Sequence, residues 1–266
     1  MLSDMPDLAP YFIPDDDRFI ATESTRGPWS RDHQHGGPPA ALLARAMEQL
    51  VGDDALLTRL TFDFIRPVPI AALTVRAEVV RAGTKVRRVQ ATLATTDGAA
   101  VVHAAAVAIR TAKVLPATLG EDDAAPPPLE TARPFEFRFF RDTVGYHTSV
   151  EARIARGTWG RGAVAMWMRP RVPLVVGEAT SPLQRLLILA DSASGVAVMI
   201  DHARQTFVNA DLTVAVHRLP EDEWICLDAA TVAEANGVGL TRARLWDARG
   251  AVGESLQSCI TEQRSS

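Results

Sequence analysis

Apolar residues recur at helical spacing from Ala40 to Leu50, where Ala41, Ala44 and Met47, or Leu43, Met47 and Leu50, make a wide stripe. Before it stands a turn-forming run, Gly27 to Pro39. At its end Gly36-Gly37 followed by Pro38-Pro39 mark a helix start, because proline suits the first helical turn. From Leu56 the period changes to two: Leu60, Phe62 and Phe64 alternate with Thr61 and Asp63. Strands are predicted there and over Leu73–Arg81, Val86–Thr95 and Ala99–Thr111, with Asp97-Gly98 as a hairpin turn. Ahead of the helix, Met1 to Asp17 reads as loop and Arg18 to Thr22 as a short strand.

The pattern then starts again. His147–Arg156 and Ala163–Arg169 alternate as strands, and Pro182–Ile200 reads as helix, with Ser181 as its N-cap. Phe207–His217, Trp224–Ala233, Val238–Asp247 and Ala251–Thr261 repeat the four-strand meander. A shift of 152 positions lays Thr61–Arg66 over Thr213–Arg218 and Leu73–Val75 over Ile225–Leu227 without a gap. In that frame Asp191 lies over Pro39, Asn209 over Leu57 and Gln257 over Ala105, so an acid and two amides stand where the first half has no polar side chain. Lys113 to Arg133, with Glu121-Asp122-Asp123 and Pro126-Pro127-Pro128, reads as a linker. The predicted division is 1–112, a linker at 113–133, and 134–266. One helix followed by an antiparallel meander is an α+β pattern.

Composition narrows the function classes. With 266 residues, 47% hydrophobic and 23% charged, the chain can fill a core. A net charge of −4 and the lack of a basic run argue against nucleic-acid binding. The longest apolar stretch, Leu186–Ile200, is too short and too polar for a bilayer span, and no signal peptide is read at the start. Cys226 and Cys259 form no paired motif, and His33 and His35 lack a third ligand, so no metal and no cofactor are expected. A reduced, cytoplasmic protein follows.

A long helix wrapped by a curved antiparallel sheet, present twice, resembles the double hotdog architecture, with the two sheets joined into one. The second half resembles the C-terminal hotdog of type II acyl-CoA thioesterases, on Leu189-Ala190-Asp191-Ser192, Phe207–Asp211 and Ser255-Leu256-Gln257. That family has an Asp, a Thr and a Gln holding a water, so the resemblance implies Asp191, Asn209 and Gln257 as the catalytic set, with Asn in place of Thr. His35-Gly36-Gly37 resembles the His-Gly-Gly helix start of many hotdog thioesterases and implies substrate contact there. It further implies hydrolysis of an acyl-CoA in lipid metabolism, and a homo-oligomer of double hotdog chains.

The residue types suit that chemistry. A partly buried carboxylate can take a proton from water, an amide can orient the water, and N–H groups at a helix start can face a developing oxyanion. Gly36 or Gly37 from the first half is expected to polarise the carbonyl while Asp191 from the second positions the water. Arg87-Arg88 and Arg242 with Arg244 could meet coenzyme A phosphates, although such residues more often form a solvated strand face. Two other readings stand beside hydrolysis. One is an acyl-CoA or acyl-carrier hydratase, which would use an Asp–His pair, yet His202 is the nearest His after Asp191. The other is a non-catalytic acyl-CoA binding protein.

Overall fold

The computed structural model describes residues 8–114, 125–200 and 204–263. In chain order it contains β1 (Phe12–Asp15), β2 (Arg18–Ala21), α1 (Gly37–Val51), β3 (Ala55–Phe64), β4 (Ala72–Ala82), β5 (Val86–Thr95) and β6 (Ala100–Arg110). There follow β7 (Arg133–Phe135), α2 (Tyr146–Ser149), β8 (Val150–Gly157), β9 (Ala163–Pro170), α3 (Pro182–Ala190) and α4 (Ala193–Val196). The last strands are β10 (Gln205–Asn209), β11 (Asp211–Val216), β12 (Ile225–Ala233), β13 (Val238–Asp247) and β14 (Gly250–Gln263).

All the strands form one antiparallel sheet in the order β1-β2-β4-β5-β6-β3-β11-β14-β13-β12-β9-β8-β7, with β10 also on β14. It is a double hotdog. The order β4-β5-β6-β3 is mirrored by β11-β14-β13-β12, and at the junction Thr61 pairs with Thr213, its own counterpart in the repeat. The pseudo-twofold therefore passes between these two threonines. Helices α1 and α3 pack on each other and on one sheet face. Leu42, Leu43, Met47, Leu186, Leu187 and Ile188 are fully buried, which explains the apolar stripes read along both helices.

Five details depart from the sequence expectations. The N-terminal stretch is not all loop: β1 pairs with β2, and Phe12 also donates to the carbonyl of Leu174. That covers the sheet edge and buries Tyr11 and Phe12 completely. The expected helix 182–200 stops at Ala190, and the strand 207–217 is divided at Ala210. That division falls at the repeat position of Thr58, where β3 has its own bulge. Next, the ungapped frame slips at the last hairpin. Arg242 pairs with Leu256 where its counterpart Gln90 pairs with Ala105, an offset of 151. The first-half turn is one residue longer, so Gln257 corresponds to buried Ala106 rather than exposed Ala105. The helix frame also shifts. Helix N-caps Gly36 and Ser181 are 145 apart, which sets Asp191 over Ala46 rather than Pro39. The second-half positions remain polar where the first half is apolar.

The expected linker lies partly outside the described residues, including Glu121-Asp122-Asp123. Its later part docks on the outer sheet face: the Trp167 indole donates to the carbonyl of Pro127 at 2.9 Å. Among the described residues no helix is long and apolar enough to cross a membrane.

Candidate active site

Helix α3 opens with a capping box. Ser181 Oγ accepts from the Gln184 N–H, and Gln184 Oε1 accepts from the Ser181 N–H. The helix closes with a tightened turn, in which the Ser192 N–H bonds back to Leu189 rather than to Ile188. The Ile188 carbonyl that this frees is taken by the Tyr146 hydroxyl at 2.8 Å, which also bonds Ser192 Oγ. Asp191 sits at this break, and its side chain is only 4% exposed.

Four groups from distant parts of the chain hold that side chain. Asn209 Nδ2 donates to Oδ1 at 2.9 Å, and Gln257 Nε2 lies 3.3 Å from the same oxygen. Gln257 Nε2 also donates to the Asp191 carbonyl, while its Oε1 accepts from the Ser194 N–H at 3.0 Å. Oδ2 lies 3.1 Å from Nδ1 of His35. Gly36 fits against the same oxygen: a Cβ there would lie 2.9 Å from Oδ2 and 2.6 Å from the Phe64 ring.

His35 is stacked flat on Tyr146, with centroids 3.7 Å apart. Burial pushes its imidazole below the ordinary range, and the charge of Asp191 opposes that shift. The Gly37 N–H also approaches His35 Nδ1, at 3.2 Å. One nitrogen cannot both accept that N–H and donate to the carboxylate. The Tyr146 phenol is raised well above its ordinary range, chiefly by burial, so it serves as a neutral hydroxyl.

A cavity of about 400 Å³ opens onto these groups. Asp191, Asn209, His35 and Gly36 line it, together with Gln34, Tyr146, Ser194 and a largely aromatic wall. Gln257 and Gly37 are not among its lining residues. Gln257 is fully buried behind Asp191, and Gly37 serves packing, since a Cβ there would stand 2.1 Å from the Ile188 carbonyl oxygen. The structure thus gathers Asp191, Asn209, Gln257, His35 and Gly36 around one carboxylate, with Gly37 one step behind.

Sequence reasoning missed three things here. The histidine beside Asp191 was sought downstream, where His202 lies outside the described residues, whereas His35 arrives from the other half. Tyr146 gives no signal, because it precedes the strand expected over His147–Arg156, whose first residues belong instead to the helical turn α2. Gln34 carries no such signal, yet its Nε2 is fixed on the Pro69 carbonyl at 2.7 Å and its buried Oε1 has no hydrogen-bond partner among the described residues. The arginines considered for phosphate contact are otherwise engaged or on the opposite face. Arg87 forks onto Asp54 and bonds the Val51 carbonyl at the end of α1. Arg242 and Arg244 line a separate hollow with Arg156.

Residues 25–111 match the acyl-CoA thioesterase N-terminal domain, and residues 120–261 match the acyl-CoA thioesterase C-terminal domain. The chain belongs to the acyl-CoA thioesterase family. It is a thioester hydrolase. Solved structures share the fold of this thioesterase over nearly its whole length. A protein assigned to thioesterase II from Thermobifida fusca aligns with a TM-score of 0.75 at 18% identity, covering 94% of this chain and 95% of its own. A hot dog fold protein from Alicyclobacillus acidocaldarius gives 0.72 at 17% identity, covering 96% of each chain. The acyl-CoA thioesterase II TesB2 of Mycobacterium marinum gives 0.69 at 17% identity, covering 94% of each. No curated protein sequence matches the thioesterase.

Proposed function

We propose that this thioesterase hydrolyses acyl-CoA by direct attack of water, at one composite site per chain to which each half contributes. The observation that carries the reading is the contact of Asp191 with Gly36. A carboxylate from one half lines the cavity against the helix start of the other.

Asp191 takes the proton from the attacking water through Oδ2, the oxygen toward His35 and Gly36. Oδ1 is already occupied by the two amides, so Asn209 and Gln257 act as positioning residues rather than as direct ligands of the water. Both N–H bonds of Asn209 are committed, one to Asp191 and one to the Asp211 carbonyl at 3.0 Å. We assign the neutral tautomer of His35 with its proton on Nδ1, donating to Oδ2. Two lone pairs facing each other at 3.1 Å in a buried site would repel, whereas the Gly37 contact is the weaker loss.

The thioester carbonyl lies against the N-terminus of α1. Pro38 and Pro39 have no N–H, and Gly37 does not line the cavity, which leaves the Gly36 N–H as the donor for the developing oxyanion. Water adds to the carbonyl carbon, the tetrahedral intermediate collapses, and the C–S bond breaks. Coenzyme A leaves as the thiolate and takes up a proton to give the thiol, alongside the free acid. Gln34 Oε1 is an acceptor suited to an amide N–H of the pantetheine arm. Cys226 and Cys259 are buried and free, in keeping with a reducing cytoplasm. We divide the chain at 113–133 into two hotdogs.

The test is free-thiol release from a panel of acyl-CoAs, with crotonyl-CoA included to read hydration separately. Thiol release by the native chain and its loss in Asp191→Asn support the reading. Hydration of crotonyl-CoA without thiol release would overturn it.

A further inference from the structure

Most glycines in this chain have a visible reason. Gly98, Gly160, Gly177 and Gly250 have positive φ angles, which favour glycine. Gly36, Gly37 and Gly253 are held against neighbouring atoms that a Cβ would strike. Among the described residues Gly195 alone has neither reason. Its φ is not in the left-handed region, and a Cβ built on it meets no atom within 4 Å. It lies inside α4, where glycine is a poor helix former and alanine would hold the turn better.

Its surroundings supply a reason. Gly195 lines the cavity, four residues past Asp191. Beside it the wall is apolar: Phe137, Phe139, Val198 and Phe207. That wall is braced from behind. Trp159 donates its indole N–H to the Gly195 carbonyl at 2.9 Å and stacks on Phe139 at 8° between planes. Phe137 meets Phe139 edge to face, with centroids 6.0 Å apart. These contacts hold the wall in place beside Gly195.

We infer that Gly195 sets the size of the acyl group the enzyme accepts, by leaving open the space between α4 and the Phe137–Phe139–Phe207 wall. The acyl portion extends from the thioester carbon at Asp191 toward α4, and its far end occupies the volume a side chain at 195 would fill. The inference rests on the proposed placement of the thioester at Asp191. It deepens that reading by assigning the acyl lobe and its gauge.

The variants are Gly195→Ala, Gly195→Val and Gly195→Leu. Binding of S-butyl-CoA and S-dodecyl-CoA is measured by calorimetry; both are thioethers that cannot be hydrolysed. Melting temperature serves as a check on folding, and Gly195→Ala is expected to melt no lower than the native chain. Affinity for S-dodecyl-CoA should fall stepwise with side-chain size, by at least about tenfold in Gly195→Leu, while S-butyl-CoA binding stays within about twofold of native. Equal losses for both thioethers, no loss for either, or failure of the native chain to bind either one would each overturn the inference. Because binding is read without turnover, a chain that shows the size effect but releases no thiol would sink the hydrolytic reading alone. Hydrolysis with an unchanged size profile would sink only the assignment of Gly195.

Discussion

His35 Nδ1 and Asp191 Oδ2 stand 3.1 Å apart, although one side chain comes from the first half of the chain and the other from the second. In the proposed mechanism the pair separates the general base, Asp191, from its support, His35. With Asp191 as the base, Asp191→Asn should lower kcat by about two to four orders of magnitude while the circular dichroism spectrum stays native. His35→Gln keeps a donor near Oδ2 and should lose much less. If His35→Gln proves as damaging as Asp191→Asn, the imidazole takes the proton and the carboxylate only orients it.

Gln257 offers a different signature. It is fully buried and ties the Asp191 carbonyl to the Ser194 N–H across the helix break. Gln257→Leu strands both groups, so stability should fall by about 1–3 kcal/mol for each group left unpaired. Turnover should fall with it while KM changes little, because Gln257 has no surface on the cavity. A raised KM with native kcat would give Gln257 a direct role in substrate binding.

The two adjacent glycines should part company. At Gly37 an added Cβ meets the main-chain carbonyl of Ile188, which cannot swing aside, so Gly37→Ala should separate α1 from α3 and cost about 1–3 kcal/mol or more. Gly36→Ala meets the rim of the Phe64 ring and the carboxylate of Asp191. Its main loss should therefore be in kcat, with a smaller change in melting temperature. Thermal melts beside kinetics for the two variants check this; equal unfolding of both would mean that Gly36 is also only a packing residue.

Much of this architecture is legible in the sequence, because strand alternation is a local signal. Val86–Thr95 and Val238–Asp247 appear with the bounds read from their pattern. Local signals fail where distant chain decides. Phe12–Asp15 carries Pro14 and an acidic run that read as turn, and it is a strand only because β2 and Leu174 supply its partners. Helix 182–200 looks continuous in its apolar spacing. It breaks where Tyr146, forty-two residues upstream of Ile188, takes the helix carbonyl. Asp191, Asn209 and Gln257 could be picked out because the repeat exposes them as polar intrusions. His35 could be singled out by its place in the helix start, but not joined to Asp191, since that contact exists only after the two halves face each other.

Acidity should act through two groups with opposite sign. Burial lowers the pKa of His35, so the native chain takes up its proton at lower pH than the unfolded chain does. This costs stability as pH falls below the ordinary imidazole value of about 6.5. Glu48 is the reverse case. The antiparallel α1 and α3 bring Ser181, at the start of α3, against Glu48 just as they bring Gly36 against Asp191. Ser181 Oγ and Gln184 Nε2 both donate to the Glu48 carboxylate, at 2.9 and 2.7 Å. Burial still outweighs those two bonds and raises its pKa above the ordinary 4.5. The native chain therefore holds this proton more tightly than the unfolded chain. Its stabilising contribution is complete below the unfolded value and is lost as pH rises through the folded one. Glu48→Gln keeps an acceptor for both donors and removes the charge, so it should raise the melting temperature at neutral pH and have little effect near pH 4. Hydrolysis should be unchanged, because the composite site uses the opposite pair of helix ends. A melting temperature lowered at neutral pH would show that the ionised carboxylate, despite its burial, is worth more to the helix pair than its neutral isostere.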